Sequence, residues 1–380
     1  MSGGHHLGDF FSNRQEPGRA DLPIMSVTMN DSLVLRDDME RRTESALRPD
    51  QHLLVRKGDT AYNMMRMWQG ACGLAEADGV VSPAYVVLAP KPGIDSRFAY
   101  HWFKSDRMIY LFWAFSHGLT KDRLRLYFDE FSEIPVSLPS IEKQRHIATV
   151  LDSWDQAINQ IEHLIQAKKI RRRALFQKLF VNLPRRPLLE AADVWFSGVD
   201  KNSITSEVPV LLCNYMDVFH NTRITSGIDF MRATASHKEI DSNMLRMHDV
   251  LFTKDSETSE EIAEAALVAE NVDNLICGYH LAIARPRRGV GYGPFLAQAM
   301  RHHEIRWQFC RLANGVVRFG LTLDAIEQVE VFLPSLDIQQ KIAAILDAED
   351  GSIEGLAQHA AHLRTQKRGL MQNMLSSVSQ

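Results

Sequence analysis

Residues 138–152 read LPSIEKQRHIATVLD and residues 333–347 read LPSLDIQQKIAAILD, an internal repeat at an offset of 195 positions. The alignment runs without a gap from Ile134/Val329 to Phe180/Leu375, and 13 of the 43 positions from Leu138 to Phe180 are identical. Self-similarity of this length constrains architecture before any local reading, because both copies fold into the same unit. The chain is a duplication.

Each copy has the same grammar. A short apolar strand (residues 134–138 and 329–333) meets a Pro-Ser turn, where proline ends the strand and serine caps a helix. The first helix places Ile147, Leu151, Trp154, Ile158, Ile161, Ile165, Lys168, Arg172, Leu175 and Leu179 on one stripe. The second places Ile342, Leu346, Glu349, Ile353, Leu356, Ala360, Leu363, Lys367, Leu370 and Met374 on the matching stripe. Apolar residues every 3.5 positions over about five heptads are the signature of a coiled coil. A helix of roughly 40 residues spans about 60 Å. Two copies of one seam in one chain can pair with each other, and antiparallel pairing gives a pseudo-twofold molecule. The alternative is two ordinary amphipathic helices, each packed on its own domain. Lys168, Arg172, Glu349 and Lys367 interrupt the stripe, either to set register or where the pair splays or a partner docks.

Ahead of each helix lies a segment with mixed signals. LPIMSVT, HLLVRKGDTAYNM and AYVVLAP read as strands in the first segment, and RFAYHWFKSDRMIYLFWAF as one amphipathic helix. VPVLLCNY, DVLFTKD and YHLAIARP are strands in the second, with GPFLAQAMRHHEIRWQFCRL as its helix. Small-residue loops follow, SHGLTKDRLR at 116–125 and ANGVVRFGLT at 313–322. Their offset of about 197 lies close to the repeat's 195, so the globular segments are duplicated too, with greater divergence. The expected fold is α+β: two α/β domains (1–140 and 182–335) joined by two long antiparallel coiled-coil helices (141–181 and 336–380).

Composition narrows the function. The net charge of −4 does not announce a nucleic-acid binder. Residues 141–180 nevertheless carry eight Lys/Arg against four Asp/Glu, while residues 181–336 are net acidic by five. A DNA reader with this balance gathers positive charge on one face. Cys72, Cys213, Cys277 and Cys310 form no CxxC pair and read as reduced thiols of a cytoplasmic protein. No run is apolar enough for a membrane span, and the N-terminus lacks a signal peptide's pattern.

Catalytic motifs are missing from the sequence. GVGYG at 289–293 sits between a strand and a helix, but no acidic residue follows at the end of a second strand, so a plain turn is preferred over a cofactor loop. No lysine has Asp or Glu two residues before it, as common metal-dependent nucleases require, and there is no GxxxxGK[ST], NPPY-type or GxSxG motif. His5-His6 and His302-His303 lack the spacing of a zinc site. No catalytic or metal-ligating residue is expected.

The unit LPSIEKQRHIATVLDSWDQAINQIEHLIQAKKIRRRALFQKLF resembles the central conserved region of type I restriction-modification specificity subunits. Its second copy is similar to that family's distal conserved region. The resemblance implies two target-recognition domains that each read half of a split site in double-stranded DNA, with paired helices as the ruler between halves. It also implies docking of two methyltransferase subunits, joined by restriction motor-nuclease subunits for cleavage. S-adenosylmethionine, ATP and Mg belong to those partners, with no cofactor in this chain. Glu349, Gly351 and Gly355 weaken the seam of the second helix relative to the family pattern. A coiled-coil assembly adaptor whose globular domains bind protein is the competing reading.

Base reading favours Arg, Lys, Asn and Gln, with Ser, Thr and backbone amides on phosphate. The glycine-containing loops are the first choice for DNA contact: Ser116, His117, Gly118, Thr120, Lys121 and Arg123, then Asn314, Gly315 and Arg318. Glycine there lets backbone approach phosphate. Tyr62, Asn63, Arg66 and Lys254 come second, with capping or packing as the alternative. Arg285, Arg287 and Arg288 form a further basic cluster. Lys168, Lys169, Arg171, Arg172 and Arg173 follow DNA across the gap or bind an acidic partner.

Overall fold

The structure, a computed structural model, describes residues 4–29, 32–38, 47–120 and 123–376. The chain divides into two compact units, residues 1–165 with 356–380 and residues 166–355. Each unit holds one globular segment together with part of each long helix, so the division cuts through both helices.

In the first unit four antiparallel strands form a sheet: β1 (Phe11–Asn13), β2 (Thr60–Asn63), β3 (Cys72–Leu74) and β4 (Tyr85–Pro90), in the order β1-β4-β2-β3. The second unit has β5 (Ala192–Phe196), β6 (Arg223–Ile224), β7 (Val250–Thr253), β8 (Ala265–Val268) and β9 (Leu281–Pro286), in the order β5-β9-β7-β8-β6. The first four places of that order repeat the first unit's sheet, and β6 adds a parallel edge strand. β7 and β8 are buried throughout, which explains why their sequences run apolar without alternation.

Each sheet is followed by two helices, α1 (Ser96–Phe103) and α2 (Asp106–Ala114) in the first unit, α4 (Gly293–Met300) and α5 (His303–Leu312) in the second. The sequence reading of one helix in each segment is corrected here: both break at the same place, 197 residues apart. Ser105 caps α2, its side chain accepting from the Met108 amide, and His302 caps α5 by accepting from the Glu304 amide. A side chain that competes for backbone hydrogen bonds starts a new helix even inside an amphipathic run.

The long helices are α3 (Ile141–Phe180) and α6 (Leu336–Ser376). In the first unit the N-terminal part of α3 packs with the C-terminal part of α6, and Ile147, Ala148, Leu151 and Leu375 share a core with Phe98, Phe103, Phe112 and Phe131. In the second unit the C-terminal end of α3 meets the N-terminal part of α6, and Phe180, Ile342 and Leu346 join Phe295 and Phe309. Each such buried Leu, Ile or Phe contributes about 1.5–3 kcal/mol. The two helices are antiparallel partners.

Four positions that interrupt the apolar stripe have distinct roles. Arg172 pairs with Asp350 in the second unit, and Lys367 pairs with Asp155 in the first. Either pair is the other moved by one repeat of 195 positions. Glu349 pairs with Arg171, and Lys168 is half-buried. Cys72, Cys213 and Cys277 are buried free thiols and Cys310 is half-buried. Among the described residues no helix is long and apolar enough to cross a membrane.

Candidate nucleic-acid interface

The loops that follow α2 and α5 are built alike. In the first, His117 and Arg125 exchange backbone hydrogen bonds of 2.9 and 2.8 Å. In the second, Asn314 and Gly320 exchange two of 2.9 Å. His117 and Asn314 are 197 residues apart, whereas Arg125 and Gly320 are 195 apart, so the first loop is two residues longer and all of that difference lies between the closing pairs. A Cβ on Gly118 would sit 2.5 Å from the Arg123 carbonyl oxygen, and one on Gly315 would sit 1.9 Å from that of Arg318. Gly315 also has φ of 149°, a conformation that side chains disfavour. Loop closure by itself requires these glycines, because a side chain at either would run into the loop's own arginine carbonyl.

The candidate side chains divide into exposed and enclosed. His117, Gly118, Thr120, Arg123, Asn314, Gly315 and Arg318 are exposed on the two loops. Lys121 lies outside the described residues. Ser116 is buried, its hydroxyl donating to the Phe112 carbonyl at 2.5 Å, which removes its side chain from the surface. Tyr62 is a clear correction. It is fully buried against Phe131, and burial together with Glu130 pushes its phenol well above the usual range. β2 runs through the core, so the aromatic residue at its end packs inward. Asn63 is half-buried and accepts from the Met65 amide at 2.9 Å, a turn-capping role, while Arg66 is exposed. Lys254 turns inward, its ammonium 4.5 Å from the Tyr279 ring centre and 3.9 Å from Asp255.

Much of the remaining positive charge is already partnered. Arg285 donates to both oxygens of Asp249, at 2.8 and 2.7 Å, and Arg287 pairs with Asp193. Arg171 and Arg172 face Glu349 and Asp350 of α6, leaving Lys169 and Arg173 exposed on α3. Arg301, enclosed beside Arg172, is held down to about 10 by burial and by that neighbouring guanidinium.

Sequence reasoning missed the anchors that hold each loop-bearing segment to its helix. Gln144 is buried, accepts from the Asp95 amide at 2.9 Å and donates to the carbonyls of Gly93 and Pro139, each at 3.0 Å. Gln339 accepts from the Tyr292 amide at 2.9 Å and donates to the carbonyls of Val290 and Pro334, each at 2.8 Å. The identical glutamine at the fifth residue after each LP was the available signal. These bonds also explain GVGYG: Gln339 engages its Val290 carbonyl and Tyr292 amide. A Cβ on Gly291 or Gly293 would sit 2.2 or 2.0 Å from the carbonyl oxygens of Ala191 or His248. His302, His303 and Glu304 bring metal-ligating atom types within 4.8 Å of one another, and His302 Nδ1 is engaged as the α5 cap. Burial, His303 and Arg185 hold that imidazole down to about 4.

Residues 57–169 match the family model described as the type I restriction modification DNA specificity domain. That stretch, under a third of the chain, is what the sequence shares with this family. The matched stretch runs from the β2 approach through α1, α2, the first glycine loop and most of α3. The S subunit of a type I restriction-modification system from M. genitalium has a similar fold, with a TM-score of 0.59 and 16% identity over 98% of this chain and 95% of that one. A structure described as the basis of complex assembly and conformational transition of the type I R-M system gives 0.56 and 16% over 97% and 96%. Among curated proteins no sequence matches this chain.

Proposed function

We propose that this chain is the DNA sequence-specificity subunit of a type I restriction-modification complex, reading a split site with one recognition unit per half. The observation that carries this reading is the repeated loop: the same glycine-closed, exposed turn follows the same helix in both units, on sheets of the same strand order. Two diverged copies on a shared helical framework suit two different half-sites. The family match favours this over an adaptor with protein-binding heads.

The chain chooses the sequence, and methyltransferase subunits docked on it carry S-adenosylmethionine and transfer the methyl group. Restriction subunits supply ATP-dependent cleavage with Mg. The assembly works in the cytoplasm, where host DNA is. His117, Arg123 and Arg318 contact DNA from the loops, joined in the first unit by exposed Arg66. Lys169 and Arg173 lie close enough in sequence to the helix-pairing arginines to meet phosphate or an acidic partner.

Duplex binding tests this reading through salt. Releasing counterions from six or more phosphates lowers affinity by roughly a thousandfold between 50 and 200 mM salt. A salt-insensitive interaction, or methyl transfer by this chain alone with S-adenosylmethionine, contradicts it.

A further inference from the structure

Leu119 and Val316 occupy equivalent positions, the residue after the tight glycine in each loop, and their side chains are 99% and 93% exposed. Val317 beside the latter is 88% exposed. Isolated exposed apolar residues are ordinary on protein surfaces. Here they stand within two loops that differ in length yet keep glycine, an exposed apolar residue and an arginine in the same order. The backbone pair at each loop base limits how far the tip can fold back to cover itself.

The surroundings say what kind of surface the tips meet. Exposed His117, Arg123 and Arg125 flank Leu119, and exposed Arg318 follows Val317, with Arg311 in the helix before it. Cationic side chains around a small apolar point suit a polyanion that displays an apolar group between its charges. In the major groove of DNA that group is the 5-methyl of thymine, the feature that separates thymine from cytosine in apolar contact. Leucine and valine offer no donor or acceptor to any other base edge.

Resting on the DNA-reading function above, we propose that Leu119 and the Val316–Val317 pair each recognise a thymine methyl group, one in each half-site. The neighbouring arginines hold the backbone on either side. Specificity at these positions comes from burying a methyl group rather than from hydrogen bonding.

Deoxyuridine tests this directly, since it lacks only the methyl group. The methylated motif of the host defines the half-sites, and duplexes of that motif carry deoxyuridine at one thymine position at a time. The assembled methyltransferase complex is expected to lose about fourfold in affinity at one position of each half-site, the worth of one buried methyl group. Leu119→Ser is expected to abolish that sensitivity in one half-site only, and the double variant Val316→Ser/Val317→Ser in the other. Unchanged thermal midpoints of both variants show that the folds persist. Equal uridine sensitivity in wild type and variants, no sensitivity in wild type, or a half-site without thymine on either strand overturns the inference. Absence of any split motif that depends on this gene overturns the DNA-reading function itself, and the inference with it.

Discussion

Arg172 on α3 donates two hydrogen bonds, of 2.8 and 2.9 Å, to the carboxylate of Asp350 on α6. Moving each residue by one repeat gives Lys367 and Asp155, which form the corresponding pair at 2.5 and 2.6 Å. The duplication therefore preserved a contact between its two copies, made once in each unit. Partly exposed ion pairs are screened, so each is worth about 1 kcal/mol rather than several. Double-mutant cycles with Arg172→Met and Asp350→Asn, and with Lys367→Met and Asp155→Asn, are expected to show coupling of that size in thermal or denaturant unfolding. Additive effects would show that the apolar seam alone sets the register.

Gln144 and Gln339 should matter more to stability than any surface charge. Each is enclosed and satisfies one amide and two carbonyl groups, which truncation leaves without a partner. Gln339→Ala is expected to cost about 2–4 kcal/mol, given roughly 1–3 kcal/mol for a buried polar group left unpaired. Hydrogen exchange gives the local readout: the Tyr292 amide loses protection in Gln339→Ala, and the Asp95 amide loses it in Gln144→Ala.

The stability of the second unit should depend on pH through His302. Its imidazole is held at about 4 in the folded protein against 6.5 when unfolded. The unfolded chain therefore takes up the proton first as pH falls, and stability is lost between pH 6.5 and 4, with no further loss from this group below. The full effect is roughly 3 kcal/mol at most. His302→Ser, which installs the residue that caps α2 at the equivalent Ser105, is expected to flatten that part of the unfolding-versus-pH curve. A curve of unchanged slope would place the titration elsewhere.

Tyr62→Phe is expected to leave DNA affinity unchanged and stability equal or higher by up to about 1 kcal/mol. The phenol oxygen is buried without a hydrogen-bond partner among the described residues, so its removal relieves a desolvation cost. A tenfold loss of DNA binding in a folded Tyr62→Phe protein would restore this residue to the interface.

The helices were the most legible part of the sequence, because a 195-residue repeat and a heptad stripe are both periodic signals. Every residue of either stripe is at least half-buried. The break before α2 and α5 was hidden by amphipathic patterning that continues through it, although Ser105 carried the cap signal. Loop positions were legible and individual roles were not. Tyr62, Ser116 and Lys254 have side chains suited to DNA contact, but β2 turns Tyr62 inward, Ser116 folds back onto the last turn of α2, and Lys254 turns inward at the bend after β7. The glutamine anchors and the Asp155/Asp350 pairs were present as identities in the repeat alignment. The glutamines bind backbone groups and the aspartates bind side chains that lie distant in sequence, which spacing alone does not reveal.

The DNA-reading role requires that this chain select the DNA sequence that is modified. Methylome sequencing of the host with the gene intact and deleted measures that choice. A two-part adenine-methylated motif, separated by unread bases, is expected to disappear on deletion and return on complementation. An unchanged methylation pattern in a host whose methyltransferase partner is expressed would contradict it.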